Sequence, residues 1–299
     1  MAELRTTMLF EALPFSFCRH SREGGNPFGR RTTFFTKSGP KDIEYLYYLY
    51  NSNMLQPLKN TLRKFLFAVG IDLTKNQQYD RQTLAIMKKW LKKDSNCIDI
   101  GCHKGEVLDE IIKIAPDGNH YGFEPIPVYY DYLVKKYAGN KKIYIVKKAL
   151  SDSNGMAEFN WVKNAPAYSG LKERAYSIKN PGIEKIEVEL TKLDESGIES
   201  PLISFIKIDV EGAEMKVLTG AVNFIKKHQP LIVFECGMGA ANFYDVKPED
   251  VFSFFTQIQY ELSTLKGFLT ESTGLSESRF KEVYDKNIEY YFAASPKTS

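Results

Sequence analysis

Apolar positions along the chain follow helical and strand periods in alternation. Leu58–Val69 and Arg81–Leu91 each carry their apolar residues on one helical stripe, so we expect two amphipathic helices ahead of the first strand. From there the pattern predicts strand Cys97–Ile100, helix Glu106–Ala115, strand Tyr121–Phe123, helix Val128–Tyr137 and strand Ile143–Val146. Strands that alternate with helices in this way are typical of a parallel sheet.

The alternation stops after Asp152 and later resumes. Two strand-like runs, Gly155–Val162 and Ile186–Leu190, flank a stretch rich in Ser, Asn, Gly and Pro, so we expect an inserted hairpin and loop. The resumed pattern predicts strand Ile203–Ile208, helix Met215–Lys226, strand Leu231–Phe234, helix Pro248–Ile258, strand Glu261–Leu265 and strand Tyr290–Ala293. These elements suffice for a doubly wound, mostly parallel α/β sheet of seven strands.

The composition is that of a folded domain with an ordinary surface. The chain has 299 residues, of which 43% are hydrophobic and 26% charged, enough for a full core. A formal net charge of +3 gives little support to a nucleic-acid partner. The cysteines form no Cys-x-x-Cys pair, and no apolar stretch is long enough for a transmembrane segment. We therefore expect a cytoplasmic protein in a reducing compartment.

The first 53 residues follow neither period. Residues 18–27 resemble the translated form of a bacterial intergenic repeat element. We expect translation to begin naturally at Met54, and residues 1–53 to be a disordered or non-native extension. The remainder then divides into an N-terminal helical segment, residues 54–95, and a main domain, residues 96–299.

A glycine-containing loop follows the first predicted strand and carries an acidic residue. Gly101 allows a tight turn and close approach of the backbone to a ligand, and Gly105 allows close packing of the next helix. A carboxylate at Asp99 repels a pyrophosphate but suits an amino group or sugar hydroxyls. The loop therefore favours S-adenosylmethionine over a dinucleotide, with an ordinary strand–turn–helix as the alternative. His103, in the same loop, is a candidate base or a hydrogen-bond partner that stabilises the loop.

Glu124 ends the second predicted strand, 23 residues after Gly101. Doubly wound folds place a ribose-binding acid at about this separation. The alternative is a solvent-facing acid beside a proline turn. The Gly101–Gly105 loop and Glu124 together favour a nucleoside-binding site.

A third group of acids follows the strand Ile203–Ile208. Asp209 and Glu211 come directly after this strand, and Glu235 ends the neighbouring strand Leu231–Phe234. Clustering raises the pKa of one acid, which suits a general base, so we predict that Asp209, Glu211 and Glu235 are catalytic. The same cluster is able to hold Mg²⁺, but we favour chemistry without a metal. Glu214 is a candidate for a helix-capping role or for the cluster itself.

Other chemistries have less support in the sequence. Neither a zinc-type His/Cys spacing nor a Gly-x-x-x-x-Gly-Lys-Ser/Thr loop occurs. A nicotinamide-dependent oxidoreductase is one alternative, opposed by the wide Gly101–Gly105 loop and by Asp99. Another is a non-catalytic nucleoside-binding module, in which the carboxylates only stabilise helix termini.

Five motifs in this order resemble the FkbM family of S-adenosylmethionine-dependent methyltransferases over about residues 80–295: Asp99-Ile-Gly101-x-x-x-Gly105, Phe123-Glu124-Pro125, Ala149–Asp152, Thr191–Glu195 and Ile206–Glu214. The last motif, continued to Ala221, is the most specific. The loop departs from the family pattern, since Cys102-His103-Lys104 replaces a small Ala-Asn pair.

The resemblance implies a class I, Rossmann-like methyltransferase sheet with an antiparallel last strand. It also implies O-methylation of a hydroxyl on a sugar, a glycan or a polyketide-like metabolite. The implied cofactor contacts are Asp99, Gly101 and Gly105 with the methionine and ribose parts, Glu124 with the ribose, and Ser151 and Asp152 on the adenine side. Lys172 and Arg174, in the polar loop, are candidates to meet phosphate or carboxylate on the acceptor.

Overall fold

The computed structural model describes residues 74–174, 178, 180–199, 202–239 and 241–297. The extension predicted over residues 1–53 and the helix predicted over Leu58–Val69 lie outside these ranges.

Ten strands occur in the described residues, and seven of them form the main sheet. They are β1 (Asn96–Ile100), β2 (His120–Phe123), β3 (Ile143–Val146), β4 (Ala149–Leu150), β5 (Gly155–Val162), β6 (Ile183–Thr191), β7 (Ile203–Ile208), β8 (Leu231–Glu235), β9 (Tyr260–Thr264) and β10 (Tyr291–Pro296). The main sheet has the order β3-β2-β1-β7-β8-β10-β9. Only β10 is antiparallel to its neighbours in that sheet. The predicted fold class is confirmed.

Eight α-helices occur in the described residues: α1 (Lys75–Trp90), α2 (Glu106–Ile114), α3 (Pro127–Tyr137), α4 (Glu214–Thr219), α5 (Val222–His228), α6 (Pro248–Gln257), α7 (Leu265–Leu269) and α8 (Glu277–Asp285). Helix α1 begins after Thr74, whose hydroxyl accepts a hydrogen bond from the Gln77 N–H at 3.2 Å. Its buried face includes Tyr79, Ile86 and Met87 and packs with Phe205 of β7. The chain ahead of β1 thus contributes to the core of the main sheet. None of the helices in the described ranges is both long and apolar enough to cross a membrane.

The central strands are apolar on both faces. In β7 five of the six side chains are buried, a pattern typical of a parallel strand covered by helices on both sides. Two buried residues in these strands are not apolar, Asp99 of β1 and Lys207 of β7, and they lie side by side in the strand register.

The prediction of a single helix over Met215–Lys226 is wrong in one respect, since two helices, α4 and α5, lie there. The helix is interrupted at Gly220, where a Cβ would lie 2.0 Å from the backbone oxygen of Ser151. Close contact between two backbone segments requires glycine there, and the helix ends where that contact is made.

The hairpin predicted after Asp152 is confirmed. Strands β5 and β6 pair antiparallel, β4 pairs parallel with β6, and the three form a second sheet of order β4-β6-β5. The loop between β5 and β6 carries the polar stretch identified in the sequence.

Candidate active site

A cavity of about 500 Å³ lies where β1, β2 and β7 end. This volume is in the range of small-molecule sites. The register places Asp99 of β1 between Gly122 of β2 and Lys207 of β7, so the loops after these strands converge on one space. Asp80 of α1 closes one part of the wall, and Pro166, Ala167 and Leu171 of the β5–β6 loop close another.

Asp99 is buried on the cavity wall, and its Oδ2 has no hydrogen-bond partner among the described residues. Burial raises the pKa of Asp99 to about 7; the Lys207 cation opposes this rise, and neighbouring acids add to it. A buried carboxylate oxygen without a partner is costly in free energy unless a ligand donates to it.

Gly101 turns the chain after β1 with φ of +81°. A Cβ at this position would lie 1.9 Å from the backbone oxygen of Asp209, so the β1 loop and the β7 loop touch through backbone atoms. Gly105 also has a positive φ, and a Cβ there would lie 2.4 Å from the Tyr137 hydroxyl. Gly101 lies on the cavity wall, whereas Gly105 packs against α3.

Glu124 is buried on the wall at the end of β2. Its Oε2 accepts a hydrogen bond from the His103 N–H at 2.8 Å, and its Oε1 accepts one from the Ile126 N–H at 2.9 Å. Burial raises the pKa of Glu124 to about 7, against the effect of these two N–H groups. The carboxylate therefore has a fixed orientation before any ligand binds.

Ser151 and Asp152 do not line the cavity in the described part of the chain. The Ser151 hydroxyl donates to Asp152, and Asp152 forms an ion pair with Lys216 at 2.9 Å. The wall at this end is made by Lys148, Ala149 and Leu150 instead. The adenine-side role of Ser151 and Asp152 stays a prediction.

The three acids of the third predicted group lie close together in the structure, but they do not all line the cavity. One carboxylate oxygen each of Asp209, Glu211 and Glu235 lies within 4.8 Å of the other two. Asp209 and Glu211 line the cavity, whereas Glu235 lies off the wall formed by the described residues. Glu235 is connected to Asp209 through the Tyr291 hydroxyl, which is 2.7 Å from Asp209 Oδ2 and 3.4 Å from Glu235 Oε2.

The charges within this group are unequal. Burial disfavours charge on Asp209, but the Lys207 ammonium, 3.0 Å from Oδ2, and the Tyr291 hydroxyl outweigh it and hold the pKa below its ordinary value. Burial, together with the charge on Asp209, holds the pKa of Glu235 well above its ordinary value. Asp209 is therefore the charged member of the Asp209–Glu235 pair at neutral pH. The raised pKa expected from clustering is found at Glu211 and Glu235 and not at Asp209.

Glu211 is paired with a cation from the β5–β6 loop. Arg174 lies 2.7 Å from Glu211 Oε2 and also donates to the Ala167 carbonyl oxygen, with its guanidinium over the Tyr168 ring. Burial and the charge on Asp209 raise the pKa of Glu211 to about 8, with Arg174 opposing. Lys172 lies instead near Asp245 and over the Tyr244 ring.

Glu214 has a local structural role. Its Oε1 accepts hydrogen bonds from the Val210 and Gly212 N–H groups at 3.1 and 3.2 Å, which holds the turn between β7 and α4. His103 lines the cavity, with its ring edge against Tyr129.

Sequence reasoning missed Asp80, Lys207 and Tyr291 as members of this site. Lys207 is a charged residue inside an otherwise apolar strand, a signal that was available in the sequence. Asp80 and Tyr291 belong to none of the motifs, and only the fold brings them to the site.

The strand order, the antiparallel β10 and the acid-lined cavity together define a Rossmann-like, class I methyltransferase domain. Residues 99–262 match the Methyltransferase FkbM domain. This match takes in more than half of the chain, and the chain belongs to the FkbM family of S-adenosylmethionine-dependent methyltransferases.

One curated relative is the methyltransferase sdnD of Sordaria araneosa, which is 30% identical over 154 residues. The alignment covers 41% of this chain and 59% of that relative. Among solved structures, the methyltransferase FkbM of Methylobacillus flagellatus KT is 14% identical with a TM-score of 0.43, over 68% of this chain and 44% of that one. A geranyl diphosphate methyltransferase in complex with GPP and sinefungin is 8% identical with a TM-score of 0.41, over 74% of this chain and 80% of that one.

Proposed function

We propose that the protein methylates a hydroxyl group on a sugar, a glycan or a polyketide-like small molecule, with S-adenosylmethionine as methyl donor. The observation that carries this proposal is the meeting of Asp99, Glu124 and Asp209 on one cavity wall. Two of these acids suit a nucleoside with an amino acid tail, and the third suits a hydroxyl acceptor.

The chain's own groups fit the cofactor. Oδ2 of Asp99 is a buried acceptor in need of a donor, which the cofactor's ammonium or a ribose hydroxyl supplies. Gly101 lets the β1 loop lie against the Asp209 backbone at the cavity wall, which holds Asp99 and Asp209 on one wall, and Glu124 presents an oriented carboxylate to the ribose. When bound, S-adenosylmethionine supplies an electrophilic methyl group on a positively charged sulfur. The same acids disfavour the pyrophosphate of a nicotinamide cofactor.

Asp209 acts on the acceptor. Its charged carboxylate on the wall accepts a hydrogen bond from the incoming hydroxyl and turns a lone pair of that oxygen towards the methyl group. It takes the hydroxyl proton as the new C–O bond forms and the methyl–sulfur bond breaks, so that neutral S-adenosylhomocysteine is the leaving group. A non-catalytic binding module has no need for a carboxylate held charged at this place.

The charge of the cavity favours an uncharged acceptor. Its wall carries the carboxyl groups of Asp80, Asp99, Glu106, Glu124, Asp209 and Glu211. Lys148 and Lys207 are its lysines among the described residues, and Lys207 already contacts Asp209. Arg174, a candidate in sequence for binding an anion, is paired with Glu211. A phosphate or carboxylate on the acceptor would meet the charged Asp209, while Lys207, Arg174 and Lys148 already have acidic partners in Asp209, Glu211 and Glu189.

We also infer chemistry without Mg²⁺ and a reducing, cytoplasmic compartment. Lys207 and Arg174 already bring positive charge to Asp209 and Glu211, which lessens what a divalent cation would add. Cys97, Cys102 and Cys236 are free and buried, as suits a reducing environment.

The test is methyl transfer from labelled S-adenosylmethionine to matched acceptor pairs, with the product identified by mass spectrometry. Methyl glucoside with methyl glucuronide, and a hydroxylated macrolactone with a carboxylic acid derivative that keeps the same free hydroxyl groups, are suitable pairs. We expect transfer to the uncharged member of a pair at a rate at least about 10-fold above the anionic one, unchanged by EDTA. Faster transfer to the anionic members would contradict the acceptor class, and activity lost with EDTA and restored by Mg²⁺ would contradict the metal-free chemistry.

Glu124→Gln is expected to weaken binding of S-adenosylhomocysteine about 10- to 100-fold while changing kcat little. The amide keeps the shape of the side chain but replaces one acceptor oxygen by a donor, which opposes the His103 or Ile126 N–H and the ribose hydroxyls. Calorimetric titration measures the affinity. Glu187→Gln, on the exposed face of β6, is the matched control; equal affinities in the two variants would remove Glu124 from the cofactor site.

A further inference from the structure

Tyr291 of β10 makes contacts that tie the acids of the site together. Its hydroxyl donates to Asp209 Oδ2 at 2.7 Å and lies 3.4 Å from Glu235 Oε2. The Lys207 ammonium lies 4.6 Å from the centre of its ring. In the strand register Tyr291 lies directly opposite Glu235. The side chain is thus held from three sides behind the cavity wall.

The two donors act on the same atom. Lys207 Nζ and the Tyr291 hydroxyl both contact Oδ2 of Asp209. The other oxygen of this carboxylate receives neither of these two bonds, and Asp209 lines the cavity. A carboxylate with one oxygen fixed by two donors has little freedom to rotate about its side-chain bonds.

Asp209 and Glu235 behave as one pair of neighbouring carboxyl groups. Like charges this close do not both ionise readily, so one member keeps the charge and the other the proton. Tyr291 is closer to Asp209 than to Glu235, and Lys207 bonds Asp209. Both contacts direct the charge to the member that faces the cavity.

We infer that Tyr291 is a positioning residue for methyl transfer: together with Lys207 it fixes Oδ2 of Asp209 and keeps the negative charge of the Asp209–Glu235 pair on Asp209, so that Oδ1 is the oxygen that receives the acceptor hydroxyl. This inference deepens the proposed function and rests on it for the catalytic step. The charge assignment itself is a property of the protein without any ligand.

Titratable or charged groups face Asp209 from several elements that pack against it. They are Asp80 on α1, Asp99 on β1, Lys207 on β7, Glu211 and Glu214 after β7, Glu235 on β8, Tyr291 on β10 and, through Glu211, Arg174 of the β5–β6 loop. Lys207 is the cation in direct contact with Asp209 among the described residues, and Tyr291 and the protonated Glu235 are neutral donors beside it. Removal of the Tyr291 hydroxyl leaves the other groups unchanged.

The test compares Tyr291→Phe with wild type and with Tyr144→Phe, which removes a hydroxyl from an exposed tyrosine on β3. Carbon-13 NMR of the aspartate carboxyl groups is recorded against pH in the protein without cofactor, and Asp209→Asn identifies the signal. We expect Asp209 to titrate at a higher pH in Tyr291→Phe and as in wild type in Tyr144→Phe. With the best uncharged acceptor we expect kcat to fall about 10- to 100-fold, with S-adenosylhomocysteine affinity within about 3-fold of wild type.

Two results would overturn the inference: an Asp209 titration unchanged in Tyr291→Phe, or a loss of S-adenosylhomocysteine affinity as large as the loss of rate, which would indicate a general structural role. If wild type binds no S-adenosylhomocysteine and methylates nothing, the proposed function fails. The NMR titration still decides the role of Tyr291 in that case, so the two failures are distinguishable.

Discussion

An Asp209→Asn variant is expected to lose methyl transfer by at least about 100-fold, the lower range for removal of a general base. Asparagine has the same shape, and its side-chain oxygen still accepts from Lys207 and Tyr291, so the fold is expected to persist. The amide neither carries the negative charge nor takes a proton from the acceptor. We therefore expect the loss to fall on kcat, with the nucleoside contacts proposed for Asp99 and Glu124 unchanged.

Initial rates with labelled S-adenosylmethionine measure the loss, and calorimetry with S-adenosylhomocysteine measures binding. Asp131→Asn is the matched control, because it removes one carboxylate from the exposed face of α3. Turnover within about 3-fold of wild type in Asp209→Asn would assign the proton to another group, and Glu211 is then the next residue to test on the wall.

The fold was predictable because its elements are marked by local patterns. Strands β1 and β7 are short and mostly buried, each with a majority of apolar residues, and the helices between strands carry one apolar stripe, so type and order follow from the sequence. The break between α4 and α5 was not predictable in this way. It depends on the approach of Gly220 to the Ser151 backbone, a contact between segments far apart in the chain.

The position of the candidate site was predictable for acids at the ends of parallel strands, while their roles stay predictions. Asp99, Glu124 and Asp209 each lie at or just beyond such an end, and a parallel sheet brings these ends to one edge. Tyr291 could not be found like this. Its strand enters the sheet between β8 and β9, antiparallel, and places the hydroxyl against an acid 82 residues earlier in the chain.

The contact partners of charged residues in the motifs and in the polar loop also could not be predicted from the sequence. Arg174 looks in sequence like a cation for an anionic acceptor, yet its partner is Glu211. Asp152 lies in a family motif, yet its partner is Lys216. Such pairings depend on side-chain positions across several elements, which periodicity does not encode.

A Gly101→Ala variant is expected to be destabilised by about 3 to 5 kcal/mol and to lose measurable binding of S-adenosylhomocysteine. Two costs combine at this position. The added Cβ would lie 1.9 Å from the Asp209 backbone oxygen, and a φ of +81° is strained for alanine. Relief requires the β1 loop to move away from the β7 loop, which separates Asp99 from Asp209 across the cavity.

Variants at two other glycines distinguish the cost of backbone strain from the cost of the steric contact. Gly197 has a φ of +72°, and a Cβ added there would have no neighbour within 4 Å. Gly197→Ala therefore has the backbone strain alone, and we expect it to lower the free energy of unfolding by about 1 to 2 kcal/mol. Gly139 has neither a positive φ nor a close neighbour, so Gly139→Ala is expected to be neutral or slightly stabilising. Denaturant unfolding of the three variants measures the free energies. If Gly101→Ala is no less stable than Gly197→Ala and binds S-adenosylhomocysteine normally, the β1 and β7 loops do not touch as described, and the cofactor wall built on that contact is wrong.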